Sequence, residues 1–225
     1  MLPAFLPSLG GDSLAVLLRT LQVSGLSVGI ALAIGIPIGA ALGRSDSRGA
    51  SLGLAVARIA TALPPVAIGL VVYLLLTRRG PLGDLEWLFT WKGMVLAQVV
   101  LILPFPIAVI GQGMRAIPRS FERELVALGA SPHQLRRLLL RELRPSLMLA
   151  ASVALGRSLS EVGAILIVGG NVRGSTRVLT TTIVQETAQG NFDTALGHAL
   201  VLMLLATCCQ LPLLFLDSGA RHERE

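Results

Sequence analysis

"TLQVSGLSVGIALAIGIPIGAALG", residues 20 to 43, carries no charged side chain from end to end. As an α-helix it would be about 36 Å long at 1.5 Å per residue, enough to cross the ~30 Å hydrocarbon layer of a bilayer. Three further charge-free runs, 59 to 77, 93 to 114 and 194 to 216, reach comparable lengths. A fifth, 146 to 168, qualifies only with Arg157 and Glu161 inside it. In lipid every backbone polar group must be satisfied internally, so these runs are helices, and the alternation of a membrane barrel is absent.

Composition agrees with this reading. The 225 residues are 53% hydrophobic and 14% charged, where a soluble domain carries about 25% charged residues. Mean hydropathy is +0.73. The net charge of +6 suits the cytoplasmic loops of a membrane protein better than a nucleic-acid surface, because only 4% of residues are aromatic and stacking platforms need them. Nucleic acid is therefore not an expected partner. Cys208 and Cys209 are adjacent within an apolar run and read as small fillers. No basic region precedes an apolar core at the start, so the first span is expected to act as its own insertion signal.

Basic residues set the expected orientation. Arg44, Arg48, Arg115, Arg119, Arg123, Arg136, Arg137, Arg141, Arg144, Arg221 and Arg224 fall in one alternate set of segments. Only Arg78, Arg79, Lys92, Arg173 and Arg177 fall in the other. The positive-inside rule then predicts five spans, over about 14–43, 52–77, 94–115, 146–168 and 194–216, with the N-terminus outside and the C-terminus cytoplasmic. The outer loop is 169–193. Across all the outer segments the five basic residues, Arg78, Arg79, Lys92, Arg173 and Arg177, are matched by Asp12, Asp84, Glu86, Glu186 and Asp193, so no strong anion funnel is expected there.

Gly25 and Gly29, then Gly35, Gly39 and Gly43, recur every fourth residue and predict close helix contacts, within the chain ahead of against a second copy. Pro37, Pro64, Pro65, Pro104 and Pro106 lie in the spans, where proline either bends a helix or is simply tolerated.

The longest cytoplasmic stretch, "IPRSFERELVALGASPHQLRRLLLRELRPSL", predicts two short helices meeting at Gly129. Ser120 is the expected cap of the first, with Glu122 and Glu124 in its first turn, and Gly129 stops it. Ser131 caps the second, Pro132 is its first residue, and Gln134 is the reciprocal capping-box partner. Such a basic hairpin either rests on anionic headgroups or docks into a groove of a cytosolic partner.

"ELVALGAS" followed by a basic helix resembles the coupling-helix motif of permease subunits of ATP-binding-cassette importers. Gly129 matches the motif glycine, and Ala130, Ser131 and Pro132 follow as in the family. Glu124-Leu125-Val126 stands where an acidic residue and alanines are expected, and "LLLRELRP" replaces the Leu-Pro element. The resemblance implies an all-α, polytopic type I importer permease fold with a cytoplasmic elbow over 120–142. Glu124, Ala127, Gly129, Ala130, Ser131 and Pro132 would then meet the ATPase subunit. Lys92 is the only lysine, so no Gly-x-x-x-x-Gly-Lys phosphate loop is possible and ATP hydrolysis falls to a partner.

"GRSLSEVGAILIVGGNVRGSTRVLTT" is similar to the matching region of oxyanion importers in that family, tungstate permeases foremost. The shared features are Arg157, Glu161-Val162-Gly163 and Gly170-Asn171. Residue 157 lies about 16 Å from either end of a straight 146–168 helix, and an ionised side chain at that depth costs at least ~2.5 kcal/mol. Four-residue spacing puts Arg157 and Glu161 on one face, where they are expected to pair as a brace or gate latch ahead of contacting an oxyanion directly. Thr180, Thr181 and Thr182 are expected to decorate an amphipathic helix at the outer surface ahead of offering hydroxyls to substrate. His198 is expected to be a hydrogen-bonded interior residue.

The resemblance implies the non-enzymatic permease of an oxyanion importer in a bacterial or archaeal inner membrane. Its implied partners are ATPase subunits, a periplasmic or lipid-anchored solute-binding protein and a second copy of the chain, all about the lipid bilayer, with no cofactor or metal. Molybdate, sulfate or vanadate are alternative cargoes. An ion-driven secondary transporter would show internal repeats and more intramembrane acids, and an intramembrane enzyme a nucleophile-base pair or metal cluster at one depth.

Overall fold

The computed structural model describes residues 12–222, with side chains described from 13 to 211. Arg224 lies outside the described residues, and the side chains of Asp12 and Arg221 outside the described side chains. Within these limits the chain is entirely helical. The order is α1 (Asp12–Arg44), α2 (Arg48–Ala60), α3 (Pro65–Leu76), a 3-10 turn at Gly83–Leu85, α4 (Trp91–Ile102), α5 (Pro104–Ala116), α6 (Arg119–Ala127), α7 (Pro132–Glu142), α8 (Arg144–Ser160), α9 (Gly163–Gly169), α10 (Leu179–Ala188) and α11 (Phe192–His222). Three helical stretches, Ser13–Arg44, Trp91–Ala116 and Phe192–Leu211, are long and apolar enough to cross a membrane, and there are five if each of two bent pairs counts as one span.

Those two pairs are where the structure departs from straight spans. The expected 52–77 helix is α2 and α3, separated at Thr61–Pro64. Pro64 and Pro65 lack the N–H groups a continuous helix needs, and Pro65 instead takes the first position of α3. The expected 146–168 helix is α8 and α9, bent by 57° at Glu161–Val162. Pro37, by contrast, sits inside an unbroken α1.

The described residues form two compact units. One takes residues up to Ile30, Leu63–Ile102 and Leu155–Pro212. Its core is α3, α4 and α9, which bury Val72, Leu76, Ala97, Ala164 and Val168 together. Gly69 permits the approach of α3 to α9, since a Cβ there would lie 2.6 Å from the Ala164 Cα. A second cluster joins Val23 of α1 to Met94, Val95, Ile165 and Val178. Lipid tails are as apolar as these side chains, so packing and polar contacts stabilise the arrangement more than burial from water does.

The other unit takes Ala31–Ala62, Leu103–Ala154 and the chain from Leu213. Here the later part of α1 lies along α5. A Cβ on Gly35 would come within 2.6 Å of Pro106 Cγ, and one on Gly39 within 2.8 Å of the Ile107 carbonyl oxygen. Gly43 likewise faces Met114 Cβ at 2.8 Å. The expected intrachain contact of the glycine ladder is thus made by Gly35, Gly39 and Gly43. Gly25 and Gly29, in the first unit, meet no described atom within 4 Å.

Candidate functional site

The break in the charged span is built from residues that satisfy one another. α8 ends at Ser160, so its last carbonyls lose their intrahelical partners. Gln98, fully buried on α4, donates from Nε2 to the Ser158 carbonyl at 3.0 Å, and the Ser158 hydroxyl donates back to Gln98 Oε1 at 3.1 Å. The Thr180 hydroxyl donates to the Glu161 carbonyl at 3.1 Å, and the Ser160 hydroxyl to the Arg157 carbonyl at 3.2 Å. On the far side of the break Glu161, 4% exposed, accepts the Ala164 N–H at Oε1 over 3.0 Å. A carboxylate there complements the amide end of α9. Non-helical backbone at membrane depth survives only with such internal partners.

This geometry corrects the expected pairing. The bend takes Glu161 off the face it would share with Arg157 on a straight helix, and no ion pair joins the two. Glu161 is committed to the α9 amide end. Arg157 is half-buried, with its Nε enclosed and unpartnered. The three threonines are likewise not surface decoration: Thr180, Thr181 and Thr182 are 6%, 1% and 4% exposed. Thr182 donates to the Val178 carbonyl at 2.8 Å, and Thr181 accepts the Val178 N–H at 3.1 Å. His198 is the buried, hydrogen-bonded residue expected, with Nδ1 2.9 Å from the Thr194 carbonyl oxygen and Nε2 3.4 Å from Ser13 Oγ.

Sequence reasoning passed over Gln98. A signal existed: Gln98 and Gln112 are the only hydrogen-bonding side chains in the 93 to 114 run. A lone amide in such a run has to find a partner.

The elbow forms much as its caps demand. Gly129 takes φ +84°, the Ala130 N–H returns to the Leu125 carbonyl and the Gly129 N–H to the Val126 carbonyl, both at 3.0 Å. These are the two bonds of a Schellman turn. Ser131 and Gln134 exchange both capping-box bonds, with the Ser131 N–H 2.8 Å from Gln134 Oε1, and Pro132 opens α7. Pro118, not Ser120, precedes α6, so Ser120 lies inside the first turn. Glu124, Ala127, Gly129, Ser131 and Pro132 are exposed, and Ala130 is half-buried. Between α6 and α7 lies a groove of about 480 Å³ lined by Leu125, Leu128 and Leu138 on one hand and by Gln134, Arg137 and Arg141 on the other. Leu128 at its tip is 84% exposed.

The first turn of α6 is fastened to the turn that ends α1. Arg44 forms an ion pair with Glu122, and Arg119 pairs with Asp46 at 3.1 Å and also donates to the Arg44 carbonyl.

The chain resembles known transport proteins over most of its length. Residues 35–220 match the model of the family described as binding-protein-dependent transport system inner membrane component. A tungstate uptake system permease protein, TupB, of Campylobacter jejuni is 39% identical over 145 residues, covering 64% of this chain and 61% of that protein. A probable anion ABC transporter permease protein of Haloferax volcanii is 40% identical over 147 residues, covering 63% of each. The matched segment thus spans less than two thirds of either relative. Among solved structures, a bacterial ABC transporter involved in the import of the acidic polysaccharide alginate superposes with a TM-score of 0.73 at 18% identity, over 95% of this chain and 80% of that one, a likeness of fold. The family match extends over well more than half of the chain, and the chain belongs to the binding-protein-dependent transport system inner membrane components.

Proposed function

We propose that this chain is the permease subunit of an ATP-binding-cassette importer that carries an oxyanion, tungstate foremost, across the inner membrane by alternating access. The observation that carries the coupling part is the elbow. It is a capped helical hairpin whose exposed apolar side chains, Leu128 at the tip with Val126 and Leu140, sit among arginines, and its base is ion-paired to the end of α1. Such a knob suits a groove on an ATPase subunit. Closure of two ATPase subunits would move α6, and the Arg44–Glu122 and Arg119–Asp46 contacts would pass the movement to α1. A solute-binding protein outside and a second copy of the chain complete the proposed assembly, with the N-terminus outside and the C-terminus in the cytoplasm.

The anion assignment draws on the tungstate and anion permeases to which the chain is similar, and on Arg157. With Glu161 engaged elsewhere, Arg157 is a guanidinium without a neutralising carboxylate in the fourth proposed span. Its place in the path is that of a positive station for an anion or of a gate element.

Uptake tests this reading. Cells lacking the gene should lose high-affinity tungstate accumulation, measured as cell-associated metal, and regain it with the wild-type chain. Excess molybdate or sulfate should compete weakly. Helix-breaking changes within 120–142 should abolish uptake while the chain still inserts in the membrane. Normal uptake by an inserted elbow variant would overturn the coupling role, and tungstate uptake unaffected by gene loss would overturn the cargo.

A further inference from the structure

The turn between α9 and α10 is folded tightly on itself. The amides of Ser175, Thr176 and Arg177 all reach the Val172 carbonyl, at 3.1, 3.0 and 3.1 Å. The Thr176 hydroxyl donates to the Gly169 carbonyl at 2.5 Å and accepts the Val172 N–H at 2.9 Å, while Gly174 supplies a φ of +77°. The turn is also fixed to the start of α1: the Leu179 N–H donates to Thr20 Oγ1 at 2.9 Å, and that hydroxyl donates to the Val16 carbonyl at 2.8 Å. Residues far apart in sequence are thereby held as one rigid surface.

Between turn and helix lies a cavity of about 60 Å³ lined by Ala15, Val16, Arg19, Arg173, Ser175 and Arg177. That is room for a few waters, one needing roughly 10–15 Å³ on this measure, and suits a small compact ion. Three arginines line so small a space. Arg177 Nε is enclosed without a hydrogen-bond partner, and Arg19 donates to the neutral Gln22 Oε1 at 2.8 Å. Neither residue forms an ion pair with a described carboxylate. An enclosed guanidinium nitrogen without a partner, as at Arg177, is costly, and planar forks of N–H donors match an oxyanion closely.

We infer that the Arg19–Arg173–Arg177 cavity is a binding site for a tetrahedral oxyanion. Ser175 is placed to add a hydroxyl to the donor set. The site lies on the α9–α10 loop, apart from the α8–α9 break and from the elbow. Its occupant is either a free dianion or the phosphate of a lipid headgroup. The inference takes tungstate as first ligand from the importer reading, while the site itself rests on its own geometry.

The test uses the purified full-length chain in neutral detergent, with binding of tungstate and, separately, inorganic phosphate followed by equilibrium dialysis. The expected result is saturable binding of at least one of them, weakened about tenfold or more in Arg19→Gln and Arg177→Gln and partly retained in Arg177→Lys. The exposed Arg78→Gln, which removes the same charge elsewhere, should bind as wild type does. Added phosphatidylglycerol separates the sources. If it displaces the ion and is retained on the wild type but not on Arg177→Gln by native mass spectrometry, the occupant is a headgroup; if it has no effect, the occupant is the free ion. Equal affinity in all variants, an equal loss in Arg78→Gln, or no saturable binding of either ion overturns the site. Binding of phosphate without tungstate keeps the site and counts against the tungstate cargo. Loss of the site with intact tungstate uptake leaves the importer reading standing.

Discussion

Arg157 and Glu161 show what four-residue spacing does and does not imply. On a straight helix they would be neighbours, yet the chain bends between them and Glu161 accepts the Ala164 N–H instead. The two models differ on charge reversal. Because Glu161 acts through its oxygen on a backbone amide, Glu161→Gln should keep an acceptor and preserve most stability. Glu161→Ala should cost about 1–3 kcal/mol, the range for leaving a buried donor unsatisfied. The double change Arg157→Glu with Glu161→Arg should be no better than the worse single change in either thermal unfolding or uptake. Rescue by the double change would restore the ion-pair model. A sequence shows the spacing of these residues but not the bend, because the partners that satisfy the freed carbonyls, Gln98 and Thr180, come from helices 60 and 19 residues away.

At the scale of an element, the elbow was the most legible part of the chain. Its turn glycine, capping box and first-turn proline act within a few residues of one another, so they specify the hairpin whatever surrounds it. Only the first cap moved, from Ser120 to Pro118, well within the shift of a residue or two that helix ends show. Gly129→Ala would place a Cβ in the left-handed region at a cost of roughly 1–2 kcal/mol, and Ser131→Ala would remove a cap worth about 1 kcal/mol. Because the elbow is exposed and little packed, these costs should appear locally. Amide exchange over 126–134 should quicken by about tenfold for each 1.4 kcal/mol, with the main unfolding transition unmoved. An equal downward shift of the main transition would show instead that the elbow unfolds with the whole chain. The spans were less legible as elements: hydropathy marks where apolar chain lies but is silent about breaks, and two of the five proposed spans are bent pairs.

For the whole molecule, orientation is the consequence most open to measurement. The excess of arginine in one set of segments predicts that the elbow is cytoplasmic and the α9–α10 loop external. With Cys208 and Cys209 replaced by alanine, an impermeant maleimide applied to intact cells should label Val172→Cys and not Leu128→Cys, both of which are exposed positions. The reverse pattern would invert the topology. The sequence by itself determined that the chain is helical, spans a membrane repeatedly and carries a capped elbow, since apolar length and helix caps are properties of contiguous residues. Only the tertiary structure decided that Gly35, Gly39 and Gly43 pack on α5 while Gly25 and Gly29 stay open, that Glu161 accepts the Ala164 N–H at the start of α9, and that Arg19 meets Arg173 and Arg177 around one cavity. Each of these joins residues distant along the chain, and in a medium as apolar as the side chains themselves the partner is chosen by shape and by unsatisfied polar groups, which no local pattern encodes.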